Sequence, residues 1–150
     1  VAHDSFATDR KDNCPKKVDR YGPQVHSLRE AELAYAVAQV KAAPWADSNR
    51  IVLFGHSEGG RSVLRHGTND VRGILSTGWS CGTAQHNIFT SMPVLNIKAS
   101  DDPVDTNRQR CYFHGHHQRF VDPLDGRHVP SDGTWATYME PFLRQLLAKE

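Results

Sequence analysis

Apolar residues occur in two patterns along the chain: a helical spacing, and short continuous runs typical of buried strands. The first helical pattern places three apolar residues on one face: Leu33, Val37 and Val40. Ser27 and Glu30 precede them with the spacing of a capping box, in which serine and glutamate side chains satisfy the first backbone amides of a helix. We therefore predict a helix that begins at Ser27 and ends before Pro44, after a long loop over residues 8–24.

Four short apolar runs follow and predict the strands of a sheet. They cover residues 50–55, 71–77, 93–100 and, more weakly, 118–123. Continuous apolar runs with β-branched residues are typical of strands buried on both faces, as in parallel sheets. Residues 58–66 are predicted to form a helix between the first two strands.

The C-terminal pattern predicts a last helix from about Trp135 to Ala148, with one apolar face formed by Trp135, Met139, Phe142 and Leu146. Pro141 is expected to kink this helix or to mark its true start. Strands that alternate with helices, without hairpin signals, predict βαβ crossovers. We therefore expect one α/β domain over residues 1–150, a mostly parallel sheet with helices on both faces.

The composition narrows the partners but leaves the compartment open. The net charge is +1, which favours neither nucleic acid nor an anionic membrane surface, and no apolar run approaches the roughly 20 residues of a membrane helix. The three cysteines, Cys14, Cys81 and Cys111, lack a metal-binding spacing. One disulfide with a remaining thiol and three free thiols are both consistent with this pattern, so secreted, periplasmic and cytoplasmic locations all stay open.

The segment Gly55-His56-Ser57-Glu58-Gly59 carries the clearest chemical signal. A G-x-S-x-G pattern between a strand and a helix predicts a nucleophile elbow, a sharp turn that lifts the serine hydroxyl clear of the sheet. We expect glycine at both flanking positions because side chains there would collide in so tight a turn. The helix that follows would direct its amide end at the reacting centre.

A serine nucleophile needs a base and an acid that orients it, and these come from loops after later strands. Asp102, after the third predicted strand, is the preferred acid, with Asp101 as its nearest rival and Asp105 less favoured. His128, on a loop before the last helix, is the preferred base. His56 is expected to be a neighbour of the nucleophile, because the turn holds its ring in another direction.

Two other groups of residues have alternative interpretations. The cluster His114, His116 and His117 offers an alternative set of metal ligands, but it lacks a carboxylate or cysteine at a recognised spacing, and most such clusters are solvated. No metal and no cofactor are therefore predicted. Three aromatic residues follow predicted strands and could line an apolar pocket or belong to the core: Trp79, Tyr112 and Phe113.

The segments "RIVLFGHSEGG" and "PVLNIKASDDPV", with "GRH" before the final helix, resemble the α/β-hydrolase fold in its dienelactone-hydrolase-like branch. "AHDSFATDRKDNC" also resembles the stretch after the fourth strand of that branch. The resemblance implies Ser57 as nucleophile, Asp102 as acid, His128 as base and the Glu58 amide as half of the oxyanion hole. It implies cleavage of an ester or related acyl bond of a small molecule without a cofactor.

This chain departs from that family in two ways. Dienelactone hydrolases carry cysteine at the position of Ser57, so a general ester is the expected substrate. Such domains exceed about 200 residues, and relative to them the first three strands, the first helix and one oxyanion loop are missing. We therefore expect an N-terminal fragment of the same protein, or a second copy, to cover the exposed sheet edge. A non-catalytic module that retains the elbow, and less favourably a histidine-cluster metal protein, are the alternatives.

Overall fold

The computed structural model describes residues 23–66, 70–79, 92–99, 102, 118–121, 133 and 135–148, and it has an α/β fold. Its elements in chain order are α1 (Pro23–Ala42), β1 (Val52–His56), α2 (Glu58–Leu64), β2 (Gly73–Thr77), β3 (Val94–Ile97), β4 (Gln118–Val121), a π-helical turn (Trp135–Met139) and α3 (Glu140–Leu147). The four predicted strands are thus confirmed, each shorter than its apolar run. The predicted loop over residues 8–22 lies outside the described residues.

The four strands form one parallel sheet in the order β1-β2-β3-β4. Their register places His56 beside Thr77, Thr77 beside Ile97, and Ile97 beside Val121. The carboxyl ends of all four strands therefore meet along one edge of the sheet. Ligands of open parallel sheets bind outside this edge, so the loops that follow the strands form the natural place for a site.

Two apolar clusters cover opposite faces of the sheet, which confirms the prediction of helices on both sides. On one face Leu53 and Ile74 pack with Val37 of α1 and Val63 of α2. On the other face the cluster consists of Leu75, Leu95, Ile97 and Met139, with Phe142 and Leu143 of α3 packed against it. Every residue of β2 and β3 is buried, as expected of strands covered on both faces.

The first helix begins earlier than predicted. It starts at Pro23, four residues before Ser27, so the predicted capping box is wrong and residues 23–24 belong to the helix. Proline is favoured at the first helical position because its fixed φ fits the helix and its missing N–H would have no partner there. Glu30 instead lies on the side of α1 that faces α2, where its carboxylate accepts a hydrogen bond from Arg65.

The last helix is divided at Pro141. A π-helical turn over Trp135–Met139 leads into α3, and Pro141 is its second residue. Proline cannot donate to a preceding carbonyl, so the regular α-helical hydrogen bonding begins only at this point. The expected apolar face is confirmed for Met139 and Leu146, which are buried, and for Phe142, which is half-buried.

Candidate active site

Ser57 occupies a strained turn between β1 and α2. Its φ of 54° and ψ of −120° make it the one non-glycine residue with positive φ in the described part of the chain. Its N–H donates to the Thr77 carbonyl at 2.8 Å, and its carbonyl accepts from the N–H of Arg61 at 3.1 Å. Such a conformation costs about 1–3 kcal/mol and is concentrated at functional sites. The backbone therefore has the strand-to-helix turn that the G-x-S-x-G pattern predicts.

The side chain of Ser57 is not used to stabilise the helix that it precedes. Serine at this position normally accepts a hydrogen bond from an amide of the first turn, yet Ser57 makes no side-chain capping bond to α2. Its side chain is half-buried. The hydroxyl is thus held at the carboxyl edge of the sheet by a costly backbone conformation rather than by a helix-capping contact.

Of the two glycines in the motif, only Gly55 is sterically required. A Cβ on Gly55 would lie 2.1 Å from the Gly59 carbonyl oxygen and 2.7 Å from the Gly60 nitrogen. A Cβ on Gly59 would meet no atom within 4 Å, so the expectation that both positions exclude side chains is wrong for Gly59. The second constraint falls on Gly60, where a Cβ would lie 2.8 Å from Ser76 Oγ and 3.0 Å from the Thr77 carbonyl oxygen.

Asp102 lies on the same edge of the sheet, five residues after the end of β3. It is only 2% exposed, and its N–H donates to the Ala99 carbonyl at 3.4 Å. Neighbouring strands are about 4.8 Å apart, so β3 lies about 10 Å from β1 across the sheet. A bridging imidazole on a loop of this edge would be needed to connect Asp102 to Ser57.

His56 is held beside the nucleophile by the adjacent strand. Its Nδ1 lies 2.9 Å from Oγ1 of Thr77, a residue that is fully buried. Thr77 therefore contacts both residues of the turn, His56 through its hydroxyl and Ser57 through its carbonyl. This hydrogen bond orients the His56 ring, and no feature of the sequence distinguished Thr77 as the partner.

The first residue of α2, Glu58, is held by α1. Nε of Arg29 lies 3.0 Å from Oε1 of Glu58, and the two side chains are 29% and 27% exposed. The Glu58 carbonyl also accepts a hydrogen bond from the Ser62 hydroxyl at 3.0 Å. The residue whose amide the resemblance assigns to the oxyanion hole thus has its carboxylate in an ion pair. No pattern in the sequence indicated this contact.

The remaining candidate residues of the sequence analysis lie outside the described residues. They are the preferred base His128, the rival acids Asp101 and Asp105, the three cysteines, the aromatic residues Tyr112 and Phe113, and the cluster His114, His116 and His117. Ser57, Glu58 and Asp102 are therefore the candidates of the proposed catalytic set that the structure places: Ser57 and Glu58 directly follow β1, and Asp102 lies five residues after β3.

Trp79 follows β2 at this edge and packs against the core cluster on the α1 and α2 face. The Arg61 guanidinium carbon lies 5.8 Å from the centre of its ring, a cation–π distance. The Trp79 carbonyl accepts a hydrogen bond from Asn96 Nδ2 at 3.3 Å. Of its two possible roles, a core contact is thus the one observed. Lys98, at 4% exposed, is a further buried residue of this edge that the sequence analysis missed.

A groove of about 1020 Å³ lies beside β1, lined by residues of α1, β1, α2 and the segment before β1. Three exposed aromatic side chains line it: Tyr35, Trp45 and Phe54. In the described part of the sheet β1 is one of the two outer strands, and at its ends Ile51 and Ser57 form backbone hydrogen bonds toward β2. Alternate residues of a parallel strand bond to alternate sides. Val52 and Phe54 therefore direct their backbone N–H and C=O groups away from β2.

Among the residues that the structure describes, no group of three or more histidine, cysteine, aspartate or glutamate side chains is arranged to hold a metal ion. Within the same residues, no helix combines the length and apolar character needed to cross a bilayer. The chain matches no protein-family model, and a search of curated proteins finds no relative. The geometry of the site is therefore the basis on which a function is inferred.

Proposed function

We propose that this chain is a serine hydrolase of the α/β-hydrolase fold that cleaves a carboxylic ester or a related acyl bond. Ser57 is the nucleophile, His128 the general base, and Asp102 the acid that orients the imidazole. The Glu58 amide donates one hydrogen bond to the oxyanion. The proposal requires no metal and no cofactor.

The observation that carries the proposal is the backbone of Ser57. A backbone φ of 54° costs free energy in any residue other than glycine. Such strained conformations are concentrated at functional sites. The chain places this residue between the partly buried strand β1 and the helix α2, with Gly55 and Gly60 removing the side chains that would collide there. A simple Gly-Ser turn would not need this close approach of β1 to α2.

The proposed reaction proceeds in two halves. His128 accepts the proton of the Ser57 hydroxyl as the oxygen attacks the ester carbonyl, and the negative charge on the carbonyl oxygen is stabilised by the Glu58 amide. Collapse of this intermediate breaks the bond to the leaving alcohol, which takes the proton from His128. Water then attacks the acyl-enzyme with His128 as base, releases the acid and restores Ser57. Asp102 stabilises the imidazolium in both halves.

A fluorophosphonate probe tests the nucleophile directly. We expect stoichiometric labelling that peptide mass spectrometry assigns to Ser57, and hydrolysis of p-nitrophenyl acetate that Ser57→Ala abolishes. Ser48→Ala is the matched control, because this serine is exposed and lies in the segment before β1, away from Ser57. A folded chain that is not labelled at Ser57 would refute the hydrolase and leave a non-catalytic module as the better explanation.

We also propose that a strand from an N-terminal fragment of the same protein pairs with the outer edge of β1. The backbone groups of Val52 and Phe54 and the exposed aromatic side chains of the groove support an extended apolar polypeptide as its occupant. A second copy of the chain fits this edge less well. Its own α2 covers the Leu53 side of its β1, so pairing of the two β1 strands would bring the α2 of the second copy into the space beside α1.

The mass of the native assembly tests this partner. We expect one copy of this chain together with one further polypeptide, and Phe54→Lys should release that polypeptide because a charge would be buried at the new strand pair. An assembly that contains only copies of this chain, or a monomer, would contradict the proposal.

A further inference from the structure

We propose that Arg29 is a positioning residue for the hydrolase reaction, acting through Glu58. This inference depends on the proposed function, because it assigns a role beside the oxyanion. Arg29 lies in α1, 29 residues before Glu58 in the chain, and its Nε reaches Glu58 Oε1 at 3.0 Å. Glu58 directly follows Ser57 and is the first residue of α2.

The chemistry gives this ion pair a consequence beyond packing. The Glu58 carboxylate belongs to the same residue as the backbone N–H that would donate a hydrogen bond to the developing oxyanion. A negative charge at that place repels the negative charge of the transition state and opposes the electrostatic stabilisation that the amide supplies. A guanidinium in contact with the carboxylate cancels most of this field. Both side chains are about three-quarters buried, which limits screening by water.

The same contact also fixes the first turn of α2. Glu58 accepts the Arg29 hydrogen bond through its side chain and the Ser62 hydrogen bond through its carbonyl. α1 is thereby connected to the residue that sets the direction of the proposed oxyanion amide. Loss of Arg29 should therefore affect the transition state more than the binding of substrate.

A second ion pair between the same two helices provides a matched control. Arg65 binds Glu30, and these side chains are 24% and 33% exposed, close to the values for the first pair. Arg65 is the C-cap residue that follows the last residue of α2, whereas Glu58 is the first residue of that helix. Breaking this pair removes a comparable contact between α1 and α2 without changing charge beside Ser57.

The experiment compares hydrolysis of p-nitrophenyl acetate by variants of the chain in its native assembly. We expect Arg29→Met to lower kcat about tenfold, which corresponds to 1.36 kcal/mol of barrier, with KM changed less than about twofold. Arg29→Lys, which retains the charge, should recover most of the loss. Arg65→Met should leave kcat within about twofold of the wild type.

A double-mutant cycle separates this role from a purely structural one. In a Glu58→Gln background Arg29→Met should cost little, because no carboxylate remains to be neutralised. An equal loss in that background, or equal losses for Arg29→Met and Arg65→Met, would overturn the inference. An active wild type with an unchanged Arg29→Met variant would overturn this inference alone. A wild type without turnover would overturn the proposed function and this inference together.

Discussion

Alanine substitutions of the glycines around Ser57 test which of these glycines the turn requires for steric reasons. Gly55 and Gly59 are the two glycines of the G-x-S-x-G pattern, and both would be judged equivalent from the sequence. In the fold an added Cβ at residue 55 would lie 2.1 Å from the Gly59 carbonyl oxygen and 2.4 Å from its carbon. At residue 59 the same atom would meet nothing within 4 Å.

These distances set the expected energies. Overpacking costs about 1–3 kcal/mol where side chains can move aside. At Gly55 the opposing atoms are backbone, so we expect Gly55→Ala to lower the free energy of unfolding by at least about 3 kcal/mol. At Gly59, in the first turn of α2, alanine has only its better helix propensity to contribute, and we expect a gain of about 0.5–1 kcal/mol. Gly60→Ala should fall between them, since Ser76 Oγ can rotate away while the Thr77 carbonyl cannot.

Urea unfolding followed by far-ultraviolet circular dichroism measures the three variants against the wild type, with the m-value checking that two-state behaviour is preserved. The free energies of unfolding of Gly59→Ala and Gly55→Ala should therefore differ by at least about 3.5 kcal/mol. Equal losses of stability for Gly59→Ala and Gly55→Ala would contradict these distances and would mean that the turn follows a different backbone path in solution.

Three further substitutions test the packing around the site. Ser57→Gly should raise the free energy of unfolding by about 1 kcal/mol in urea, because glycine adopts φ 54° without strain; Ser57→Ala should not, and equal values would argue against strain. Thr77→Val should cost about 1–2 kcal/mol and shift the His56 ring nitrogen signals in NMR spectra, whereas unchanged signals would exclude the hydrogen bond. Gly73→Ala should lower the free energy of unfolding by about 1–3 kcal/mol, because the added Cβ would lie 2.6 Å from Leu146 Cδ1. The loss should be smaller in a Leu146→Ala background, and equal losses in both backgrounds would contradict this contact.

Much of the architecture was predictable from patterns of consecutive residues. Apolar runs and helical spacing predicted the strands, the parallel sheet and its two covered faces, because burial leaves a local period in the sequence. The start of α1 was not predicted correctly, since Ser27 and Pro23 are both acceptable helix-start signals. The G-x-S-x-G motif located the strained serine because the turn depends on residues close together in the chain.

The contacts that shape the site could not be read from the chain. Arg29 meets Glu58 across 29 positions and Thr77 meets His56 across 21, and these distances close only when α1 and β2 pack beside β1 and α2. The same packing moves the second steric constraint from Gly59 to Gly60. Local order in the chain therefore specifies which elements form, because hydrophobic periodicity and backbone conformation are properties of neighbours. Which side chains contact each other depends on where elements distant in the chain pack together, and that information is present only in the folded structure.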